Sequence, residues 1–171
     1  RARSGATEAA LVALERAATA AISAGIRALL VREPALEDGA FLELAQRLRA
    51  RLDASIGPGS PERRWLGIHD RLHLAHAAGA DAVHLGGTSL PLEAARAVVG
   101  DSMAIGVSSH REDAPDRFAG ADYLLHAPAF EPTSKSSFGR ETLGWSGVAD
   151  FARSAGRPVL ALGGITAERL L

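Results

Sequence analysis

Four groups of residues in this chain have the types and spacing to do chemistry. The first is His69-Asp70, which closes the apolar run from Trp65 to Ile68. An imidazole beside a carboxylate can orient a substrate ring or move a proton near neutral pH. The carboxylate alone can ligate a hard cation such as Mg²⁺. The second is Arg32, at the end of Ala28-Leu-Leu-Val31, whose planar fork suits a phosphate. The third is Gly163-Gly164, followed by Thr166 after the apolar run 158–162. Small residues there let an anion approach backbone N–H groups at the start of a helix. The fourth is Thr133-Ser134-Lys135, hydroxyl donors beside a point charge. Each has a plainer alternative. Asp70 would cap a helix starting at Arg71, and Arg32 would pair with a strand-end acid such as Asp70. The glycines would form a tight turn, and Lys135 would sit in a solvated loop. His84 and His126 lie within apolar runs. A hydrogen-bonded core histidine is the plain reading of both, with a proton shuttle the functional reading of His126.

These groups need elements to hold them, and the apolar pattern supplies a regular series. Strands are expected at 28–32, 64–69, 82–86, 103–108, 122–127 and 158–162. Helices are expected at 8–24, 38–53 (capped by Asp38), 71–78, 91–99, 112–119 and 145–155, with another starting near Thr166. The strands are continuous apolar runs, the mark of a parallel sheet covered on both faces. The only repeat expected is the strand-helix period itself. The long insertion Glu131 to Gly144 follows a strand's C-terminal end, where such folds keep their working loops. Six strands with a leading and a trailing helix indicate an α/β chain, specifically a (β/α)8 TIM barrel lacking strand 1 and strand 8 in residues 1–171. The expectation is one domain, 1–171, incomplete at both ends, with a strand before residue 1 and a strand and helix after residue 171.

Composition narrows the classes. At 171 residues, 47% hydrophobic and 23% charged, the chain suits one globular core. A net charge of −1 gives no basic excess for nucleic acid or an anionic membrane. No apolar run is long enough to span a bilayer. With no cysteine there is neither a disulfide frame nor a thiolate metal site, which fits a reducing, cytoplasmic compartment. Assembly into a homo-oligomer stays open.

Five segments in order resemble the thiamine phosphate synthase family, which includes the thiazole tautomerases of the TenI type. They are Leu30-Val-Arg-Glu-Pro34; His69-Asp-Arg-Leu-His-Leu-Ala75 with Gly79-Ala-Asp-Ala-Val-His-Leu-Gly86; Gly106-Val-Ser-Ser-His110; Gly120-Ala-Asp-Tyr123 through Ser134-Lys135; and Leu162-Gly-Gly-Ile165. The resemblance implies a (β/α)8 barrel joining a pyrimidine diphosphate to a thiazole phosphate, releasing diphosphate with the help of Mg²⁺. It implies Arg32, His69, Ser108, Ser134, Gly163 and Gly164 as substrate-binding residues, Lys135 as catalytic and Asp70 as a metal ligand. The chain also departs from the family. The usual Gln-Leu-Arg-Glu-Lys has Leu30 and Pro34 at its ends, and the usual Asn-Asp is His69-Asp70. Gly-Gln-Glu-Asp, whose Asp holds Mg²⁺, is Gly86-Gly-Thr-Ser89. Some tautomerase relatives carry a catalytic histidine where this chain has Pro128. A retained phosphate turn with an altered diphosphate side points to a tautomerase-like or divergent member. The alternative is a non-catalytic barrel of the same family that binds or senses a phosphate ligand.

Overall fold

The computed structural model describes residues 5–57, 61–131 and 141–170. The chain groups into two compact units, Arg1–His84 with Ala95–Met103, and Leu85–Ala94 with Ala104–Leu171. The α/β class holds in both, and every strand pairing within them is parallel.

In the first unit, helix α1 (Gly5–Ser23) and helix α2 (Asp38–Ala54) accompany β1 (Ala28–Val31), β2 (Trp65–His69) and β3 (Ala82–Leu85). β2 pairs with β1 through Val31 opposite Ile68, and with β3 through His69 opposite His84. The apolar face of α2 is the one its sequence requires. Phe41, Leu44, Ala45, Leu48 and Leu52 are buried at three- and four-residue intervals. They belong to a core that includes Leu11 of α1 and Leu66, Ile68 and Val83 of the strands.

The second unit holds β4 (Ala104–Ser109), β5 (Tyr123–His126), helix α4 (Gly144–Ala155) and β6 (Val159–Ala161). Helix α3 (Leu92–Val99) is shared between the units' residue ranges. A core of Phe118, Ala121, Leu124 and Ala155 is sealed by Leu92, Val107, Phe151 and Val159. Gly106 lies opposite Tyr123, and a Cβ there would come within 2.0 Å of the tyrosine ring. The missing side chain is the space the ring occupies.

A four-residue repeat corrects the expectation that only the strand-helix period recurs. Ala-Gly-Ala-Asp stands at 78–81 and again at 119–122. Both copies do the same work. Asp81 N donates to Leu66 O (2.8 Å), and its carboxylate accepts from Leu66 N (2.8 Å). Asp122 N donates to Ile105 O (2.8 Å), and its carboxylate accepts from Ile105 N (2.7 Å). Each aspartate thus closes the strand before it at the N-terminal end, which fixes the register of the next. The glycine ahead of each has positive φ, 64° and 91°, allowing the tight reversal.

Three expected helices are short 3₁₀ turns instead: Leu72–Leu74, Pro115–Phe118 and Ala167–Arg169. The first is curtailed because Asp70 and Arg71 both take left-handed backbone, leaving no regular first turn. The second is delayed by Pro115, which holds Ala114 extended. Asp38 opens α2 but does not cap it; Glu37 holds that position and makes no side-chain cap bond. Coverage on both faces is true of β3, all of whose residues are buried. On β1, Leu30 is 40% exposed, and on β6, Leu160 is 51% exposed.

Candidate functional site

Parallel pairing brings the C-terminal ends of β1, β2 and β3 side by side, so Arg32, His69-Asp70 and His84 follow from one edge of the first unit. His69 Nδ1 lies 3.0 Å from Asp70 Oδ2. Asp70 N donates to His84 O (2.9 Å), and the two imidazoles lie 5.6 Å apart, centroid to centroid. Burial lowers the His69 pKa, and the positive charge of Arg32 lowers it further, against a raising effect from Asp70. A neutral His69 that donates from Nδ1 to Asp70 presents Nε2 as an acceptor. His84 is buried, and burial followed by the charge of His69 pushes its pKa down to about 4. It is a buried core histidine.

Asp70 does not cap the turn that follows it. Arg71, not Asp70, precedes the 3₁₀ turn, and no side-chain cap bond forms there. Asp70 has φ 53° and Arg71 φ 45°. The Arg71 side chain turns away from the strand end. Its guanidinium donates to the Asp38 carboxylate and to the carbonyls of Glu33 and Leu36, and lies 4.5 Å over the Phe41 ring. Asp38 also meets His73 Nε2 at 2.9 Å, and this bond is the first cause of a carboxyl pKa below its ordinary value. Sequence reasoning passed over Arg71; a charged residue directly after a strand-end acid was the available signal.

In the second unit, Ser108 near the end of β4 lines a cavity of about 450 Å³ with Gly86, Gly87, Ser89, His110 and Asp113. The Ser89 hydroxyl accepts from Gly86 N (2.6 Å), closing its own turn. His110 and Pro128 share a second cavity of about 380 Å³ with Arg111, Glu112 and Glu141. Gly163 and Gly164 continue the ladder beyond β6. Ala129 N donates to Leu162 O (2.8 Å) and Phe130 N to Gly163 O (2.9 Å). The turn is packed rather than open. A Cβ on Gly163 would lie 3.1 Å from Pro128, and one on Gly164 would lie 2.4 Å from Glu131 O. Arg169, which the sequence did not single out, donates to Gly164 O and lies 4.7 Å over the Phe130 ring. Trp145 meets Phe130 edge-on and donates from Nε1 to Arg169 O (2.9 Å).

His126 is 1% exposed and faces α4. Its ring stacks on Phe151 at 3.7 Å, and Nδ1 lies 2.9 Å from Ser109 Oγ. Burial, then the charge of His110, lowers its pKa. These contacts are those of the hydrogen-bonded core histidine of the plain reading, the strand alternation turning the ring against the helix. Ser134 and Lys135 lie outside the described residues.

Among the described residues, no cluster of three or more histidines, aspartates or glutamates could hold a metal ion. Asp70, 43% exposed at its side chain, is a lone carboxylate oxygen donor of the kind a hard cation accepts. Among the described residues, no helix is long and apolar enough to cross a membrane.

The family model described as thiamine monophosphate synthase matches residues 6–171. A thiamine-phosphate synthase of Salinibacter ruber is 42% identical over 105 residues, which is 60% of this chain and 46% of that protein. One of Anaeromyxobacter dehalogenans is 37% identical over 150 residues, 86% of this chain and 64% of that protein. The solved structure of thiamine phosphate pyrophosphorylase from Pyrococcus furiosus is similar with a TM-score of 0.75 at 26% identity, covering 90% of this chain and 70% of that one. The chain spans 46% and 64% of the length of the two curated relatives.

Proposed function

Because the chain belongs to the thiamine monophosphate synthase family, we propose that it serves thiamine biosynthesis by joining a pyrimidine diphosphate to a thiazole phosphate with release of diphosphate. The family match over residues 6–171 carries this reading. The likeness to the Pyrococcus furiosus protein supports a barrel as its frame. The reading includes a cytoplasmic location.

The roles follow from chemistry. Arg32, an exposed fork at a strand end, takes the diphosphate of the pyrimidine substrate. His69, neutral and held by Asp70, offers Nε2 to a donor on the pyrimidine ring. Ser108 and the backbone of Gly163-Gly164 take the thiazole phosphate, with Arg169 adding positive charge beside the turn. Ser134 would donate a hydrogen bond to the leaving diphosphate and Lys135 would offset its charge. Asp70 would hold Mg²⁺, which when bound offsets charge on that leaving group.

A second reading is isomerisation of the thiazole phosphate. The bond from Gly86 N to the Ser89 hydroxyl favours it, since the family's second carboxylate is absent and the group in its place is engaged in a turn. Phosphate anchoring plus one proton-transferring side chain is all that reaction needs. The double variant Ser89→Asp/Pro34→Lys separates the two. It restores an oxygen anion for the cation and a positive charge for the diphosphate. If condensation is native, the variant should reach half-maximal rate at about tenfold lower Mg²⁺. If the parent interconverts thiazole phosphate isomers and the variant still forms no condensation product, isomerisation is the function.

A further inference from the structure

We propose that Arg71 is a positioning residue that fixes the loop 32–37, and with it the Arg32 guanidinium, for the diphosphate end of the substrate; the inference rests on the role given to Arg32 above. Two consecutive residues with side chains, Asp70 and Arg71, adopt left-handed backbone at the end of β2. L-residues avoid this region, and such strain persists where the surroundings enforce it, most often at working sites. Two things hold it here: the backbone bond from Asp70 N to His84 O (2.9 Å), which no Arg71 substitution removes, and the Arg71 fork. One side is bound to the first residue of α2, through the Asp38 carboxylate. The other is bound to the carbonyls of Glu33 (3.3 Å) and Leu36. The plane rests on Phe41, which is fully buried. The anchor is itself held, because His73 Nε2 meets the second Asp38 oxygen at 2.9 Å. The loop so gripped begins at Arg32, whose charge already acts on His69. One guanidinium therefore joins the turn carrying Asp70 to the loop carrying Arg32. Lysine cannot replace it, having neither the fork nor the flat face.

Stability and positioning make different predictions for two variants. Arg71→Gly removes the side chain and the backbone strain together; Arg71→Ala removes the side chain and keeps the strain. If Arg71 positions Arg32, both variants raise KM for the pyrimidine diphosphate by about 10- to 100-fold, whatever their melting temperatures. KM for the thiazole phosphate stays within about twofold, and Arg71→Lys does not rescue. The double variant Arg32→Ala/Arg71→Gly should lose no more than Arg32→Ala alone, since Arg71 acts through Arg32. Additive losses, equal effects on both substrates, or a KM that recovers in whichever variant is more stable would overturn the proposal. If the parent does not condense the substrates, the functional reading fails, and calorimetric titration with inorganic diphosphate tests Arg71 by itself. Equal, non-additive weakening in Arg32→Ala and Arg71→Gly upholds it. Unchanged diphosphate binding in Arg71→Gly, or none in the parent, refutes it.

Discussion

Gly164→Ala should unfold roughly 10 °C below the parent. The added Cβ would lie 2.4 Å from Glu131 O and 2.7 Å from the Phe130 carbonyl carbon and oxygen. These are backbone atoms of the segment that follows β5, and Phe130 N is bonded to Gly163 O across the same seam. No rotamer change relieves the overlap. The residue also has φ +61°, a conformation that alanine pays to adopt. Overpacking and the left-handed backbone together cost roughly 2–5 kcal/mol, and at this chain length each kcal/mol lowers the melting temperature by about 2–4 °C. From sequence, a substitution here would be expected to cost phosphate binding and spare the fold. The packing reverses that order: the glycine is required by the neighbouring backbone of Phe130 and Glu131 before any ligand arrives. A scanning calorimetry trace with an unshifted midpoint would refute the close approach.

Acid should destabilise the protein from about pH 6.5 downward, and His84→Gln should remove much of that sensitivity. In the native state burial holds His84 at a pKa of about 4, while unfolded it titrates near its ordinary 6.5. Between those values the unfolded chain carries a proton that the native chain refuses. Stability is therefore full above pH 6.5 and falls as pH drops toward 4, by roughly 3 kcal/mol for this residue. His69 and His126, also lowered by burial, act in the same direction. Urea unfolding of parent and variant at several pH values measures the effect. The parent's advantage should shrink as pH falls, and parallel curves would contradict it.

How much of this was readable beforehand depended on the kind of force involved. All six strands lie within two residues of where their apolar runs predict, because burial of a continuous apolar segment leaves few alternatives. The buried face of α2 was equally plain. The helices that failed were short segments decided by backbone details. Pro115 was a visible signal, whereas the left-handed pair Asp70-Arg71 was not, since Asp tolerates that region in isolation but Arg does not favour it. Candidate residues show the same division. Arg32, His69 and Asp70 were found because they end strands. Arg71 and Arg169 were missed because their roles come from partners distant in sequence, Asp38 for one and Phe130 for the other. His126 follows its plain reading as a hydrogen-bonded core histidine, its direction set by strand alternation against Phe151.

The most direct test of the functional account is to incubate this chain with the pyrimidine diphosphate, the thiazole phosphate and Mg²⁺, and to quantify thiamine phosphate and released diphosphate together. The account predicts that both accumulate in a one-to-one ratio, that neither forms without the thiazole phosphate, and that Arg32→Ala abolishes most of the rate. Binding of the thiazole phosphate with no condensation product at any Mg²⁺ concentration would contradict it.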